Sequence, residues 1–379
     1  MIFNLVIIFI TILIGLIFSD TKITPWSEEI KRKRYIWIIS IVLILQSGLR
    51  NVAVGADTYA YYRSFEQVKQ MDWSSVLNTV SNYYSNGVGK DPGYVVLQKI
   101  VQSVIGDYQI FLFLIAILFF AALANFISKN TKGLWEAMFA FILYSSLFYA
   151  FFSITGHRQT IATAATLLSF ELIKKRKLLP FLVLVLIAST IHRSCLIFLP
   201  FYFLFGLRRS NILYPIAMIG FFVFMFYREP VSEILRNIGG YTQSQYGYSS
   251  GAGTLTFTAM LLLVAFIAWW RMKYVLHENE NARPFYNAFI LAIVFTPLTW
   301  VNPNAMRVVQ YFSIFLLVLI PTILESFSNT GYNLRKFAYA VAIIGLIVLA
   351  AKSEWGMEYK FFWQPMELGP NYTHGANPQ

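Results

Sequence analysis

Apolar runs of roughly 18 to 20 residues recur along this chain, each long enough to cross a bilayer core of about 30 Å. Inside that core no water satisfies backbone N–H and C=O groups, so a continuous apolar run must close its hydrogen bonds internally as a helix. The expected fold is all-α, a polytopic integral membrane protein. Composition agrees: of 379 residues 57% are hydrophobic and only 13% are Asp, Glu, Lys or Arg, whereas a soluble chain carries about a quarter charged residues. No internal repeat or low-complexity linker interrupts the pattern, so residues 1–379 read as a single polytopic domain.

The runs predict about twelve transmembrane helices, at 2–18, 34–49, 108–127, 134–153, 157–173, 178–191, 194–207, 211–227, 254–272, 284–301, 305–324 and 335–351. The two short runs near 178–207 read either as spans or as a re-entrant hairpin. In the first run the positive charges Lys31 to Arg34 come after the apolar stretch. A cleaved signal peptide has the reverse polarity, so residues 2–18 read as a retained span with the N-terminus outside. Lys31 to Arg34, Lys129 and Lys132, Lys174 to Lys177, Arg208 and Arg209, Arg271 and Lys273, and Arg335 and Lys336 then all fall in inner loops, as the positive-inside rule requires. The same rule places residues 50–107 and 228–253 in outer loops and both termini outside. The net charge of +12 is carried by the short loops, so it sets orientation and implies no nucleic-acid partner. Cys195, the single cysteine, excludes an internal disulfide and any Cys-based metal site; its apolar neighbours predict a buried side chain.

The long outer loop reads as helical. Phe65, Val68, Trp73, Val76, Leu77 and Val80 are spaced as one face of a helix lying at the membrane interface. DPGYVVLQKI then restarts a helix, with Asp91 as N-cap and Pro92 at its first position. The tail after Ala351, with Trp355, Tyr359, Phe361, Phe362 and Trp363, reads as an aromatic belt on the same side.

Once the inner-loop charges are set aside, a second group of polar residues remains on the outer side: Arg50 and Asp57, His157 and Arg158, His192 and Arg193, Arg228, and Arg307. Any one of these arginines could be a snorkelling side chain, and any one histidine a satisfied turn residue. Several cations converging on one face repel unless an anion holds them. The planar fork of arginine suits phosphate and pyrophosphate oxygens. Tyr59, Tyr61, Tyr62, Tyr83, Tyr84, Tyr241, Tyr246, Tyr248 and Tyr311 accompany them. Interface anchoring explains many of these rings; the rest suit stacking on sugar rings. The chain carries no Walker loop, HExxH, GxSxG or DxD motif.

In order, RNVAVGADTYAYYRSF, DPGYVVLQKI, GHRQTIATAATLLS, IHRSCLIFLPF and NAMRVVQYFSIF, spread over residues 45 to 325, resemble the EpsG-type branch of the Wzy polysaccharide polymerases. These are bacterial inner-membrane proteins that build O-antigen, capsule or exopolysaccharide. The resemblance implies a glycosyltransferase that moves a growing glycan from undecaprenyl pyrophosphate onto a new lipid-linked repeat unit at the periplasmic face. Its partners would be undecaprenyl-pyrophosphate-linked glycans and membrane lipids, with a chain-length regulator and a flippase as candidate protein partners. On that reading Arg50, Arg158, Arg193 and Arg307 are the candidate pyrophosphate ligands. Asp57 is the first candidate for the catalytic base and His192 the second, although Asp57 could equally pair with Arg50. Tyr61, His157, Gln159 and Tyr311 are candidate substrate contacts. Cationic side chains stand where a metal would, so no metal and no cofactor is expected.

Three other readings remain open. An O-antigen ligase uses the same donor, but its largest outer loop is expected late in the chain, whereas here it comes early. A lipid-linked sugar transporter or flippase would place polar groups at mid-span, often in repeated halves. A His-based acyltransferase is the third.

Overall fold

The computed structural model describes residues 2–55, 57–230, 233, 255–301, 303–329, 332–352 and 358–365. Among these, secondary structure is helical apart from one isolated antiparallel bridge between Arg50 and Phe361. The second outer segment, with Tyr241, Tyr246 and Tyr248, lies almost wholly outside the described residues, as does Trp355 of the tail. The chain forms two compact units, Met1–Leu196 with Ala340–Gln379, and Ile197–Tyr339.

In the first unit, α1 (Ile2–Ser19), α2 (Glu28–Gly48), α6 (Tyr108–Asn130), α7 (Leu134–Leu147), α8 (His157–Lys174) and α9 (Leu178–Ile191) make the apolar bundle. The helix α2 packs on α6 and α7, α6 on α8, and α8 on α9. These helices are apolar on both sides. Tyr35, Ile36, Ile39 and Leu43 of α2 are buried, while Trp37, Ile38, Ile41 and Leu45 face outward. A helix that is apolar all round is one whose outer face meets lipid.

Among the described residues, three helices combine the length and composition of a span: α6, Leu255–Glu278 and Asn333–Ala351. A fourth is reached if the pair Met306–Ser313 and Leu316–Ser328, bent by 46°, counts as one. The twelve predicted runs thus correspond to fewer long helices, because several runs are broken or short. The run at 134–153 ends α7 at Leu147 and continues as a π-helical turn, Ala150–Thr155. The run at 284–301 passes from an α-helix, Arg283–Phe295, into a 3-10 turn that contains Pro297. The run after Ile191 is a 3-10 segment, Arg193–Phe198, followed by the short helix Phe201–Leu204. Ser210–Phe226 is apolar but short. The predicted span at 34–49 starts earlier, as α2, and carries Glu28, Glu29 and Lys31 to Arg34 in its first turns.

The loop 50–107 is helical, as predicted, but as three helices: α3 (Thr58–Gln70), α4 (Trp73–Asn86) and α5 (Pro92–Val104). The single amphipathic face does not form. The Asp72 side chain accepts from Ser75 N at 2.8 Å and starts α4 as a separate helix. Phe65, Val68 and Val76 are buried, while Trp73 and Leu77 are exposed, because α3 and α4 each pack on α5. Phe65, Tyr94, Tyr108, Phe111, Leu112, Ile115 and Ile161 form the core that ties this loop to α6 and α8. The helix α5 is also seated on the end of α9: a Cβ at Gly93 would lie 2.0 Å from Thr190 Oγ1 and 2.9 Å from its backbone carbonyl carbon. Only a residue without a side chain permits that approach. Cys195 is fully buried, as expected.

The tail returns to the end of α2. Asn51 N donates to Lys360 O at 2.9 Å, Phe362 N donates to Leu49 O at 2.8 Å, and the Tyr359 ring stacks on Phe3 with centroids 3.9 Å apart.

Candidate functional site

The ends of the first unit differ in kind. At one end the start of α2 meets the ends of α6 and α8. There Arg32 donates to Ser128 O at 2.8 Å and to Thr131 O, and Lys129 pairs with Glu171 at 3.6 Å. Three basic clusters that the positive-inside rule assigned to one side therefore share one end. The second unit shows similar neighbours: Arg283 donates to Arg208 O at 2.6 Å, Arg271 to Ser326 O at 2.6 Å, and Arg335 pairs with Glu325 at 3.0 Å.

At the opposite end of the first unit, the end of α2, the starts of α5, α6 and α8 and the end of α9 converge. The guanidinium of Arg50 is buried and donates through Nη1 to Ser47 O and Ser47 Oγ, the latter at 3.0 Å. Its Nη2 lies 2.6 Å from His157 Nε2. Arginine can only donate, so Nε2 accepts and His157 is the neutral tautomer. The ring proton then sits on Nδ1, 3.4 Å from Tyr94 Oη. Burial pushes the Tyr94 phenol well above its ordinary pKa, so its oxygen keeps its own proton. Tyr61 stacks on the imidazole, centroids 4.4 Å apart and planes within 15°. His157 is thus not one of the converging cations; it is a buried acceptor for Arg50.

The next residue faces a different partner. Arg158 Nη1 donates to Asp91 Oδ2 at 2.7 Å, and its charge lies 5.5 Å from the Tyr61 ring centre. Arg158 stands in the first turn of α8, where the helix macrodipole disfavours a cation; the Asp91 carboxylate offsets this. Arg158 is 21% exposed while Asp91 is 3% exposed, so the carboxylate lies behind the guanidinium.

Asp91 holds the N-cap position of α5 that the sequence predicts, but its side chain serves other partners. Pro92 does open α5, but the Asp91 side chain makes no cap hydrogen bond to that helix. Its Oδ1 accepts from Arg193 N at 3.3 Å, and its Oδ2 lies 3.7 Å from His192 Nδ1. Its backbone is left-handed, φ 50° and ψ 58°, a region that costs an ordinary L-residue about 1–2 kcal/mol and that Asp and Asn visit more readily. Burial would raise the Asp91 carboxyl, but the His192 imidazole and the Arg158 guanidinium outweigh it, and the pKa falls below the ordinary carboxylate value.

The remaining candidates separate. Asp57 is exposed at the start of α3, and Arg50 is taken up by Ser47 and His157 instead of by Asp57. Arg193 contributes its backbone N–H to Asp91, while its side chain is exposed. His192 is buried beside Asp91, and Gln159 is buried in the first turn of α8. Arg228, just beyond the helix Ser210–Phe226, donates to Met225 O at 2.9 Å in the last turn of that helix. Arg307 and Tyr311 belong to the second unit, where Arg307 is half-buried at the start of the helix Met306–Ser313 and Tyr311 on the same helix is fully buried. Among the described residues no group of three or more His, Cys, Asp or Glu could hold a metal ion.

Helices with lipid-compatible outer faces and an ionic cluster buried at one end define a helical membrane protein. Residues 33–363 match the model of the EpsG family, which covers most of the chain. The chain belongs to this family of Wzy-like polysaccharide polymerases and exopolysaccharide biosynthesis proteins. No curated protein and no solved structure matches it.

Proposed function

We propose that this chain is a polysaccharide polymerase of the periplasmic leaflet of a bacterial inner membrane, making O-antigen, capsule or exopolysaccharide. Its donor is a growing glycan on undecaprenyl pyrophosphate, and its acceptor is a second lipid-linked repeat unit. The acceptor hydroxyl oxygen attacks the anomeric carbon of the donor. The bond from that carbon to the pyrophosphate oxygen breaks, undecaprenyl pyrophosphate leaves with the bonding pair, and the hydroxyl proton passes to a base.

The observation that supports this reading most is the partly exposed Arg158 guanidinium, fixed along one edge by buried Asp91 beside His192. Arg158 binds the pyrophosphate and stabilises the charge developing on it, which is the kind of preorganised electrostatic assistance that dominates many rate enhancements. His192, with a carboxylate behind it, takes precedence over exposed Asp57 as the base. Arg50 acts from beneath: its hydrogen bonds hold His157 and the end of α2, so it is a positioning residue. Tyr61 offers a flat ring to a sugar at the same place.

Purified full-length protein supplied with lipid-linked repeat units and run on a ladder gel tests the reading. Wild type is expected to give a ladder, and Arg158→Ala only single units, with membrane insertion unchanged. Long chains made by Arg158→Ala would remove the clamp assignment. In cells that make O-antigen, deletion separates the ligase reading: loss of a polymerase leaves single repeat units on lipid A core, whereas loss of a ligase leaves none.

A further inference from the structure

Asp91 stands out because it is buried, charged, held in a left-handed conformation and shared by two elements. The carboxylate on α5 meets Arg158 from α8 at 2.7 Å, and meets the segment after α9 through Arg193 N at 3.3 Å and His192 Nδ1 at 3.7 Å. Its partners are 67 and 102 residues away. A helix cap would need none of them, and the side chain does not cap.

We propose that Asp91 is a positioning residue that ties the anion-binding Arg158 to the base His192, and that its charge keeps the clamp from holding a diphosphate too tightly. The inference rests on the polymerase reading of Arg158 and His192 given above. Two physical consequences act in opposite directions. The carboxylate fixes the Nη1 edge of the guanidinium and stands behind the His192 ring, as a carboxylate stands behind the histidine of a catalytic triad. It also cancels part of the positive charge that a diphosphate would see. Tight binding of the ground state or of the released lipid pyrophosphate does not speed transfer, so a partly neutralised clamp favours turnover over retention.

This predicts a split that a purely structural residue would not produce. Asn keeps the volume of Asp and tolerates the left-handed backbone. Asp91→Asn removes the charge and one of the two acceptor oxygens, so the amide oxygen can keep the Arg158 bond while the longer Arg193 N contact is given up. The probe is inorganic pyrophosphate, titrated by calorimetry onto the full-length protein in nanodiscs, alongside the ladder assay. Asp91→Asn is expected to bind pyrophosphate about tenfold more tightly, the effect of one unit charge acting at roughly 6–7 Å in a half-screened site. Its transfer rate is expected to fall by about 10- to 100-fold, because the base loses its orienting carboxylate. Arg158→Ala is expected to bind poorly, and Asp91→Asn/Arg158→Ala to bind more tightly than Arg158→Ala by a similar factor, since the Asp91 charge acts on the anion through space. Unchanged or weaker binding by Asp91→Asn, or a full transfer rate, overturns the inference while leaving the polymerase reading intact, provided that Arg158→Ala loses binding. Wild-type binding by Arg158→Ala removes the clamp assignment and this inference with it. A thermal melt without pyrophosphate serves as the folding control, and Asp91→Glu as the second variant, retaining the charge and therefore the wild-type affinity.

Discussion

The two ends of the first unit use the same residue types under different constraints. At the basic end, Lys129 is 46% exposed and Glu171, which it meets at 3.6 Å, also accepts from Lys174 at 3.4 Å. These pairs are wet, redundant and replaceable, and their positive charge serves orientation. At the other end Arg50, Asp91 and His157 are at most 3% exposed, and each occupies a fixed partner. A buried cation that loses its acceptor has no water to turn to. Arg32 at the basic end is also buried, but on neutral acceptors, the Ser128 and Thr131 carbonyls and the Thr131 hydroxyl. The other end buries a carboxylate and histidines with its arginines, so loss of the Lys129 pair should matter far less than loss of a partner there.

The largest effect is expected from Gly93→Ala. The new Cβ would meet backbone of Thr190 as well as its side chain, so the clash cannot be relieved by a rotamer change. The helix α5 must move off α9, and Asp91 moves with it. Overpacking of this kind costs about 3 kcal/mol. A lower melting temperature together with loss of ladder formation is expected; an alanine variant with wild-type melting would show that the α5–α9 contact is loose.

His157 tests the arrangement one layer deeper. His157→Leu leaves Arg50 Nη2 without its acceptor, and a buried donor left unmade costs about 1–3 kcal/mol. His157→Gln supplies an amide oxygen to the same donor and should recover most of that loss. If leucine and glutamine destabilise equally, the Arg50–His157 bond is not what holds this layer.

Acid should act on the same end. The carboxyl of Asp91 has a lowered pKa in the folded chain, with Arg158 facing it from α8 and His192 and the Arg193 N–H from the segment after α9. Stability from a depressed carboxylate is complete above its unfolded pKa of ~4 and is lost as pH falls through the folded value. Melting temperature should therefore fall below about pH 4 in wild type, and less steeply in Asp91→Asn. Equal slopes would mean that the carboxylate contributes no linkage.

How much of this was legible differs between fold and site. Helicity follows from apolar run length, and the sharing of one end by Lys31–Arg34, Lys129–Lys132 and Lys174–Lys177 follows from the positive-inside rule. The breaks do not. Nothing in the apolar run 134–153 marks the change to a π-turn at Ala150, because hydropathy is blind to which carbonyl each N–H reaches. Arg158 and His192 were legible as outer charges without a topological purpose. An acid before Pro at a helix start marks Asp91 as an N-cap, and it holds that position, while the partners of its side chain are distant in sequence. The available signal was scarcity: in a chain with 18 acidic residues, one on the same side as Arg158 and His192 is a candidate counter-ion. His157 was grouped with the cations because protonation state is set by neighbours, and Arg50 cannot be recognised as its donor from spacing.

The smallest effect is expected at the basic end, and it is the control for the whole comparison. Lys129→Ala removes one arm of a solvent-exposed pair, and the remaining partner Glu171 keeps Lys174. Exposed pairs contribute about 0–1 kcal/mol, so melting should shift by little and the ladder should be unchanged. Insertion should also survive, since Lys132 and the neighbouring loops still carry positive charge on that side. A Lys129→Ala variant that loses polymer with its fold intact would place chemistry at the basic end and reverse the assignment of the two ends.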